Sequence, residues 1–394
     1  MKKILHILIM ILVTIPINSN AVTVEISKDY NWDVLYFESN LSKEENNLLI
    51  QNFSNFQLKE VIRPIKTCDR IDYSKKTNTC FRVIKNENGI QLTYRNKKEL
   101  NKLRVKNFNE LKISNYIYKQ IFKKDSPLLT NLILAGQSIV NNKLEHSIFL
   151  SNLDGSKTKN LLKSSKSIIS LSLHPNKKTL AYISYENIYP TIFLHDIITN
   201  NRISLSKIPG KINSLTWDLS GDSLLLSIKH NESNYNIYKF NVKNNSFAKI
   251  TNFDFDVISP KEFKKDKIVY TSIHNKYPSA YISDIGNRQT KKLNISKKLI
   301  YVSDIYSDKD RTLALTKSKG EFTLLLLDSP NSKLFKRVIS SESIESPKFI
   351  KNKPYFLLTN GNNFGNNVSL VNEIGKINKK LSFKNIKITE LEII

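Results

Sequence analysis

Four residues, Gly221-Asp222-Ser223-Leu224, spell the nucleophile motif of the GDSL esterases. That chemistry needs its serine near the start of an α/β domain, with an aspartate and a histidine brought in from far along the chain. Here the four letters fall where a sister segment reads Asn176-Lys177-Lys178-Thr179-Leu180, so they are expected to form a turn entering a strand. Setting His6 aside, the histidines are His146, His174, His195, His230 and His274, and none has a partner at metal-ligand spacing. His195 is expected to be an ordinary strand residue. Asp196, Asp284 and Asp328 resemble a carboxylate set, but they recur at one position of a repeat, so each is expected to cap its own turn. No Gly-x-Ser-x-Gly elbow, phosphate loop or dinucleotide fingerprint is present. The expectation is therefore a chain that is not an enzyme, with no catalytic residue, no metal ligand and no cofactor. Cys68 and Cys80 are the only cysteines. Outside the cytoplasm they can close a disulfide; two buried thiols are the alternative.

The elements that carry these residues repeat. Phe149-Leu150-Ser151-Asn152 returns as Phe193-Leu194-His195-Asp196, Tyr238-Lys239-Phe240-Asn241, Tyr281-Ile282-Ser283-Asp284, Leu325-Leu326-Leu327-Asp328 and Ser369-Leu370-Val371-Asn372. The Asp/Asn positions are 44, 45, 43, 44 and 44 residues apart. Leu180-Ala181-Tyr182-Ile183 keeps the same beat in Leu224-Leu225-Leu226, Ile268-Val269-Tyr270 and Leu313-Ala314-Leu315. One repeat predicts four short strands: A at Ile168–Leu173, B at Thr179–Ser184, C at Thr191–Ile197 and D at Arg202–Ser206. Four strands in about 44 residues is one propeller blade. Six copies predict an all-β six-bladed propeller over 128–394. The first copy lacks a strand A, and the spare tail Ile386–Ile394 is expected to supply it, closing the ring non-covalently.

Residues 22–127 read as a smaller α/β domain. Strands are expected at Asp33–Phe37 and Glu60–Ile65, and a hairpin at Cys80–Lys85 and Ile90–Arg95 around Asn88-Gly89. Ser42 with Glu45 forms a capping-box pattern ahead of Leu48, Leu49, Phe53 and Phe56, and Phe108–Phe122 predicts a second helix. Ser126-Pro127 is expected to be a hinge. Before this domain, Lys2-Lys3, the apolar run Ile4–Ile17 and Ser19-Asn20-Ala21 have the three regions of a secretory signal, with cleavage expected after Ala21 (segment 1–21). No later stretch is apolar enough to span a bilayer.

The formal charge is +26, or +24 without Lys2 and Lys3. Lysines are spread along a chain equally rich in Asn and Ile, so the charge is expected to sit on solvated surfaces rather than in a nucleic-acid site. A polyanion binder would instead lose affinity steeply with salt.

The order of signal, small α/β domain and six-bladed propeller resembles TolB, the periplasmic component of the Tol-Pal system. The residues carry the likeness. His174-Pro175-Asn176-Lys177-Lys178-Thr179-Leu180-Ala181-Tyr182 is similar to the family's Ser-Pro-Asp-Gly-Lys-Lys-Leu-Ala-Tyr run. Ile113-Ser114-Asn115-Tyr116-Ile117-Tyr118 resembles its helix closing the first domain, Asn152-Leu153-Asp154-Gly155-Ser156 its first strand-C exit, and Ile212-Asn213-Ser214 its entry to the third blade. The resemblance implies a non-enzymatic monomer of the periplasm, with no nucleic acid and no membrane span. Its implied partners are the peptidoglycan-associated lipoprotein and TolA, and its implied role is envelope integrity and outer-membrane constriction at division. The lipoprotein would meet the channel mouth, on D–A loops that here include Lys211, Asn213, Ser214, Asp256, Val257 and Ile258. Val22, Thr23, Val24, Glu25 and Ile26 match the N-terminal segment that contacts TolA. Lys211 stands where the family has a histidine, and the cysteine pair is not part of the family pattern. The competing expectation is an extracytoplasmic propeller enzyme, a lyase or glycosidase, with its active site in the channel.

Overall fold

The structure is a computed structural model describing residues 34–54, 62–74, 78–123, 126–153, 158–187, 189–205, 208, 210–231, 233–274, 277–286, 289–293, 299–306, 311–329, 335–351, 355–362, 365–383 and 385–394. The expected signal segment 1–21, Val22–Ile26, Asp33, Glu60, Phe56 and Asp154-Gly155-Ser156 lie outside the described residues.

Six four-stranded antiparallel sheets form the blades of a propeller. Blades two to six run over 168–204, 211–249, 256–292, 299–341 and 345–382. Blade one holds Asn131–Val140, Lys143–Asn152 and Lys159–Ser164, and takes Lys387–Ile393 from the C-terminus as its inner strand. The second strand of each blade is packed on both faces by its neighbours, so its central run is apolar rather than alternating. Leu180, Ala181, Tyr182 and Ile183 are all fully buried, as are Leu224, Leu226, Ile268, Val269 and Tyr270. The outer strands Arg202–Ser204, Ser246–Lys249 and Gln289–Lys292 are only three or four residues long, wholly exposed, and each carries a basic residue, which blunts the sheet edges.

The Asp/Asn beat has a local cause. The Asp196 carboxylate accepts the N–H groups of Ile198 and Thr199, both at 2.8 Å. Asn241 accepts from Lys243 and Asn244, and Asn372 from Ile374 and Lys376. Each side chain satisfies the backbone of the turn leaving strand C. In blade two, strand C therefore ends at Asp196, not Ile197, and strand D covers Arg202–Ser204, while Ser206 lies outside the described residues.

The N-terminal elements are β1 (Val34–Ser39), α1 (Lys43–Ser54), β2 (Ile62–Pro64), β3 (Asn78–Asn86), β4 (Gly89–Arg95), β5 (Leu100–Val105) and α2 (Glu110–Phe122). The sheet order is β2-β1-β3-β4-β5, with β1 parallel to both its neighbours. Ser42 and Glu45 close a reciprocal capping box: the Glu45 N–H donates to Ser42 Oγ at 3.2 Å and the Ser42 N–H to Glu45 Oε2 at 3.1 Å. The hairpin loop is Glu87-Asn88, one residue earlier than expected. Gly89 already belongs to β4, at φ 113° with backbone carbonyls where a Cβ would sit. The hydrophobic core joins this sheet, Leu49 of α1 and Ile113 and Ile117 of α2 to Leu132, Leu134, Phe149, Leu357, Leu370, Ile388 and Leu391 of the propeller. Ser126 is accordingly no free hinge. It is fully buried, and its N–H donates to Asn115 Oδ1 at 2.6 Å.

Cys68 and Cys80 are joined in a disulfide, their Cα atoms 6.0 Å apart and 12 residues apart in sequence. Replacing both by serine is expected to lower the unfolding free energy by about 2–3 kcal/mol, through lost restraint on the unfolded chain. Urea unfolding should show the midpoint falling; an unmoved midpoint would mean the bond adds nothing.

Candidate functional site: a charged ring in the propeller channel

The inner strands of all six blades line one cavity of about 570 Å³. Each inner strand carries a β-bulge, at 169–172, 212–214, 258–261, 302–304, 345–348 and 388–390. Ser170, Ser259 and Ser346 stand at these bulges with φ of 56°, 53° and 46°. Left-handed backbone at a non-glycine is uncommon, and bulges of this kind re-aim side chains.

What the bulges set is a belt of bonds from blade to blade. Ser170 Oγ accepts the Leu215 N–H (2.8 Å), Ser214 Oγ the Ser259 N–H (3.0 Å) and Ser346 Oγ the Leu391 N–H (3.3 Å). Thr271 Oγ1 accepts from Val302 at 3.2 Å and Asp304 Oδ2 from Phe349 at 2.9 Å. Glu390 completes the circle, its two oxygens accepting the N–H groups of Ser170 and Leu171 at 2.7 and 2.6 Å.

Past the bulges the register returns, and one level of the ring becomes comparable in every blade. Ser172, Thr216, Lys261, Asp304, Lys348 and Glu392 face Ala181, Leu225, Val269, Leu313, Leu357 and Ile133 of the adjacent strands. Around the axis this level reads hydroxyl, hydroxyl, plus, minus, plus, minus. Lys348 Nζ lies 2.7 Å from Glu392 Oε1. Burial works against the Lys348 charge, but Glu392 and Asp304 outweigh it and hold the ammonium above its ordinary range. Burial pushes the Glu390 carboxyl up, against the pull of the Leu171 and Ser170 N–H groups. Burial and the Lys348 charge push Lys261 down.

This cluster is absent from the expectations above, although its signal stands in the sequence. Lys261, Asp304, Lys348 and Glu392 are 43, 44 and 44 residues apart, on the blade period.

The expected partner-binding residues fall differently from the loops foreseen. All six lie in inner strands, Lys211–Trp217 and Asp256–Lys264, because strand pairing extends to the rim of the channel. Lys211 and Asn213 are exposed; Ser214 and Asn213 line the cavity. Asp256 is half-buried and its Oδ1 accepts the Tyr235 N–H at 2.9 Å, while Ile258 is half-buried. Val257 is a core residue, fully buried with Leu225, Ile237, Ile268 and Tyr270, so its side chain cannot meet a partner. Ser223 of the esterase-like letters is 3% exposed and paired with Asn241 in a strand. The φ of Gly221 is 79°, and a Cβ there would meet the His174 ring. His195 is buried within blade two, its Nε2 3.0 Å from Asn200 Oδ1. Among the described residues no group of three or more His, Cys, Asp and Glu is arranged to hold a metal, and no helix is long and apolar enough to cross a membrane.

Comparison with known proteins gives a consistent result. A family model described as the TolB beta propeller domain matches residues 118–391. A curated protein named Tol-Pal system protein TolB, from Ruthia magnifica subsp. Calyptogena magnifica, is 24% identical over 143 residues. The match spans about a third of that relative, covering 35% of this chain and 33% of that protein. The crystal structure of TolB from Acinetobacter baumannii is similar at a TM-score of 0.74 and 15% identity, over 92% of this chain and 97% of that one. A putative TolB from Agrobacterium tumefaciens is similar at 0.51 and 10% identity, over 67% of this chain and 99% of that one. At these identities the structural likeness shows the fold alone.

Proposed function

The chain belongs to the TolB beta-propeller family, and from that premise we propose that it is a non-enzymatic docking protein of a Tol-Pal-like system in the periplasm. Its partner at the propeller is the peptidoglycan-associated lipoprotein. Its link to the inner-membrane proteins, TolA first, runs through Val22–Ile26, which lies outside the described residues. Such a bridge serves envelope integrity and outer-membrane constriction at division. The observation that carries this reading is the open cavity on the propeller axis, with Asn213 and Ser214 on its wall and the exposed Lys211 beside them. All six blades present an inner strand to it, so a protruding segment of a partner can be gripped from every side. The contact set is Lys211, Asn213, Ser214, Asp256 and Ile258, without Val257.

The second reading, a channel enzyme, draws on the shifted groups Glu390 and Lys261 in one cavity. It is the weaker of the two. Both oxygens of Glu390, the carboxyl shifted towards neutrality, are already engaged by backbone N–H groups. A general acid or base needs an oxygen free to meet substrate.

The test is a pull-down with the organism's own lipoprotein, both partners folded. Lys211→Glu should weaken binding by about tenfold, with the deficit changing as salt is raised, because a rim charge acts through steering. Absence of wild-type binding removes the proposal; an unchanged Lys211→Glu affinity removes the assignment of the contact.

A further inference from the structure

Every charged side chain at the ring level has a partner except one. Lys348 pairs with Glu392, Asp304 accepts from Phe349, and Glu390 accepts twice. Lys261 lines the cavity half-buried, and among the described residues no carboxylate or other acceptor lies within bonding distance of its Nζ. Asp304, Glu392 and Glu390 act on this ammonium through space but none bonds it, so its donors stay free for a further acceptor entering the cavity. We propose that the channel is a carboxylate-binding site: Lys261 receives a single carboxylate, an acidic side chain or chain terminus of a segment that enters from the open mouth.

The surroundings define the ligand. Asn213 and Ser259 add polar side chains to the cavity wall, and Pro260 and Pro347 add apolar surface. The cavity volume falls within the range of small-ligand sites. Two lysines and three carboxylates, Lys261, Lys348, Asp304, Glu390 and Glu392, interact at this level, so a phosphate dianion meets twice the opposition that a single carboxylate must overcome by bonding Lys261 directly. The ligand's charge joins those of Asp304, Glu392 and Glu390, which already favour the ammonium, against burial and Lys348, which oppose it. Binding therefore raises the pKa of Lys261.

The inference rests on the docking reading only for the source of the carboxylate, so it is tested first without the partner. In protein labelled with [ε-¹³C]lysine, the Lys261 resonance is identified by its loss in Lys261→Arg. Acetate is then titrated in, with acetamide and phosphate as controls. The expected result is a saturable shift with acetate, an upward move of the Lys261 titration midpoint, and neither with acetamide. A response to acetate no larger than that of exposed Lys211, or an equal response to acetamide, overturns the site. With the lipoprotein as ligand, Lys261→Met should weaken binding by roughly tenfold or more while Lys261→Arg retains it. Unaltered lipoprotein binding by Lys261→Met would overturn the partner as the source. If wild-type protein binds acetate but no lipoprotein, the docking reading falls and the carboxylate site stands.

Discussion

Removing Ile388–Ile394 is expected to abolish the stable fold, leaving a protein that unfolds at far lower denaturant than the full chain or does not fold at all. Ile388 and Leu391 are 0% and 1% exposed, inside the core that joins the propeller to the N-terminal sheet. Truncating each such side chain costs about 2–5 kcal/mol. The deletion also exposes the inner edge of Asn131–Val140, whose residues 132–137 pair with the closing strand. Gly136 packs against Ile386 and Lys387 with no room for a Cβ, so the start of the closing segment lies directly on this strand. The whole stability of a domain is about 5–15 kcal/mol, and these losses together consume most of it. Urea unfolding followed by circular dichroism decides the matter. A truncated chain with the wild-type midpoint would show that ring closure contributes nothing. Leu391→Ala, which keeps the strand, should fall between the two.

How much of this was legible beforehand depended on what each residue does. The blades were legible because the turn after strand C needs a side-chain acceptor, and Asp196, Asn241 and Asn372 supply it at a steady interval. The helix caps were legible for the same reason: Ser42 and Glu45 perform a local task with a local spelling. The strand Leu100–Val105 was missed because it lies at the edge of its sheet and is almost wholly exposed, so its sequence has no apolar alternation to read. The channel charges were missed for a different reason. Lys261, Asp304, Lys348 and Glu392 keep the blade period but alternate in charge, so a search for one repeated residue type does not unite them. Strand pairing sets them at one level. Val257 shows the converse error. A position beside the channel mouth can still point into the blade, and side-chain period within a strand decides which.

The closing strand is held by its two acids as well as its apolar residues. Glu390 reaches forward to the backbone of blade two and Glu392 back to Lys348 of blade six, so a strand with no covalent link to blade one is tied to both its neighbours. Glu392→Ala is expected to cost about 3–5 kcal/mol, because it leaves Lys348 without its bonded partner, with Asp304 and Glu390 acting on it only through space. Both side chains of the pair are mostly shielded from water, at 12% and 14% exposure, so screening does little to soften the loss. Lys348→Met is expected to be similarly damaging, since it leaves Asp304, Glu390 and Glu392 with Lys261 alone. The double variant Lys348→Met/Glu392→Leu should recover most of the loss, because two apolar side chains of similar volume need no counter-charge. The pH dependence follows from the raised Lys348 ammonium. A cation with a folded-state pKa above its unfolded one stabilises fully below the unfolded value, near 10.4, and loses that contribution only as pH rises through the folded value. The gap between wild type and Lys348→Met should therefore stay level from about pH 6 to 9 and close only in strong alkali. A double variant as unstable as the two singles added together would show that the charges are not coupled, and the seam would then rest on strand pairing, Glu390 and the apolar Ile388 and Leu391.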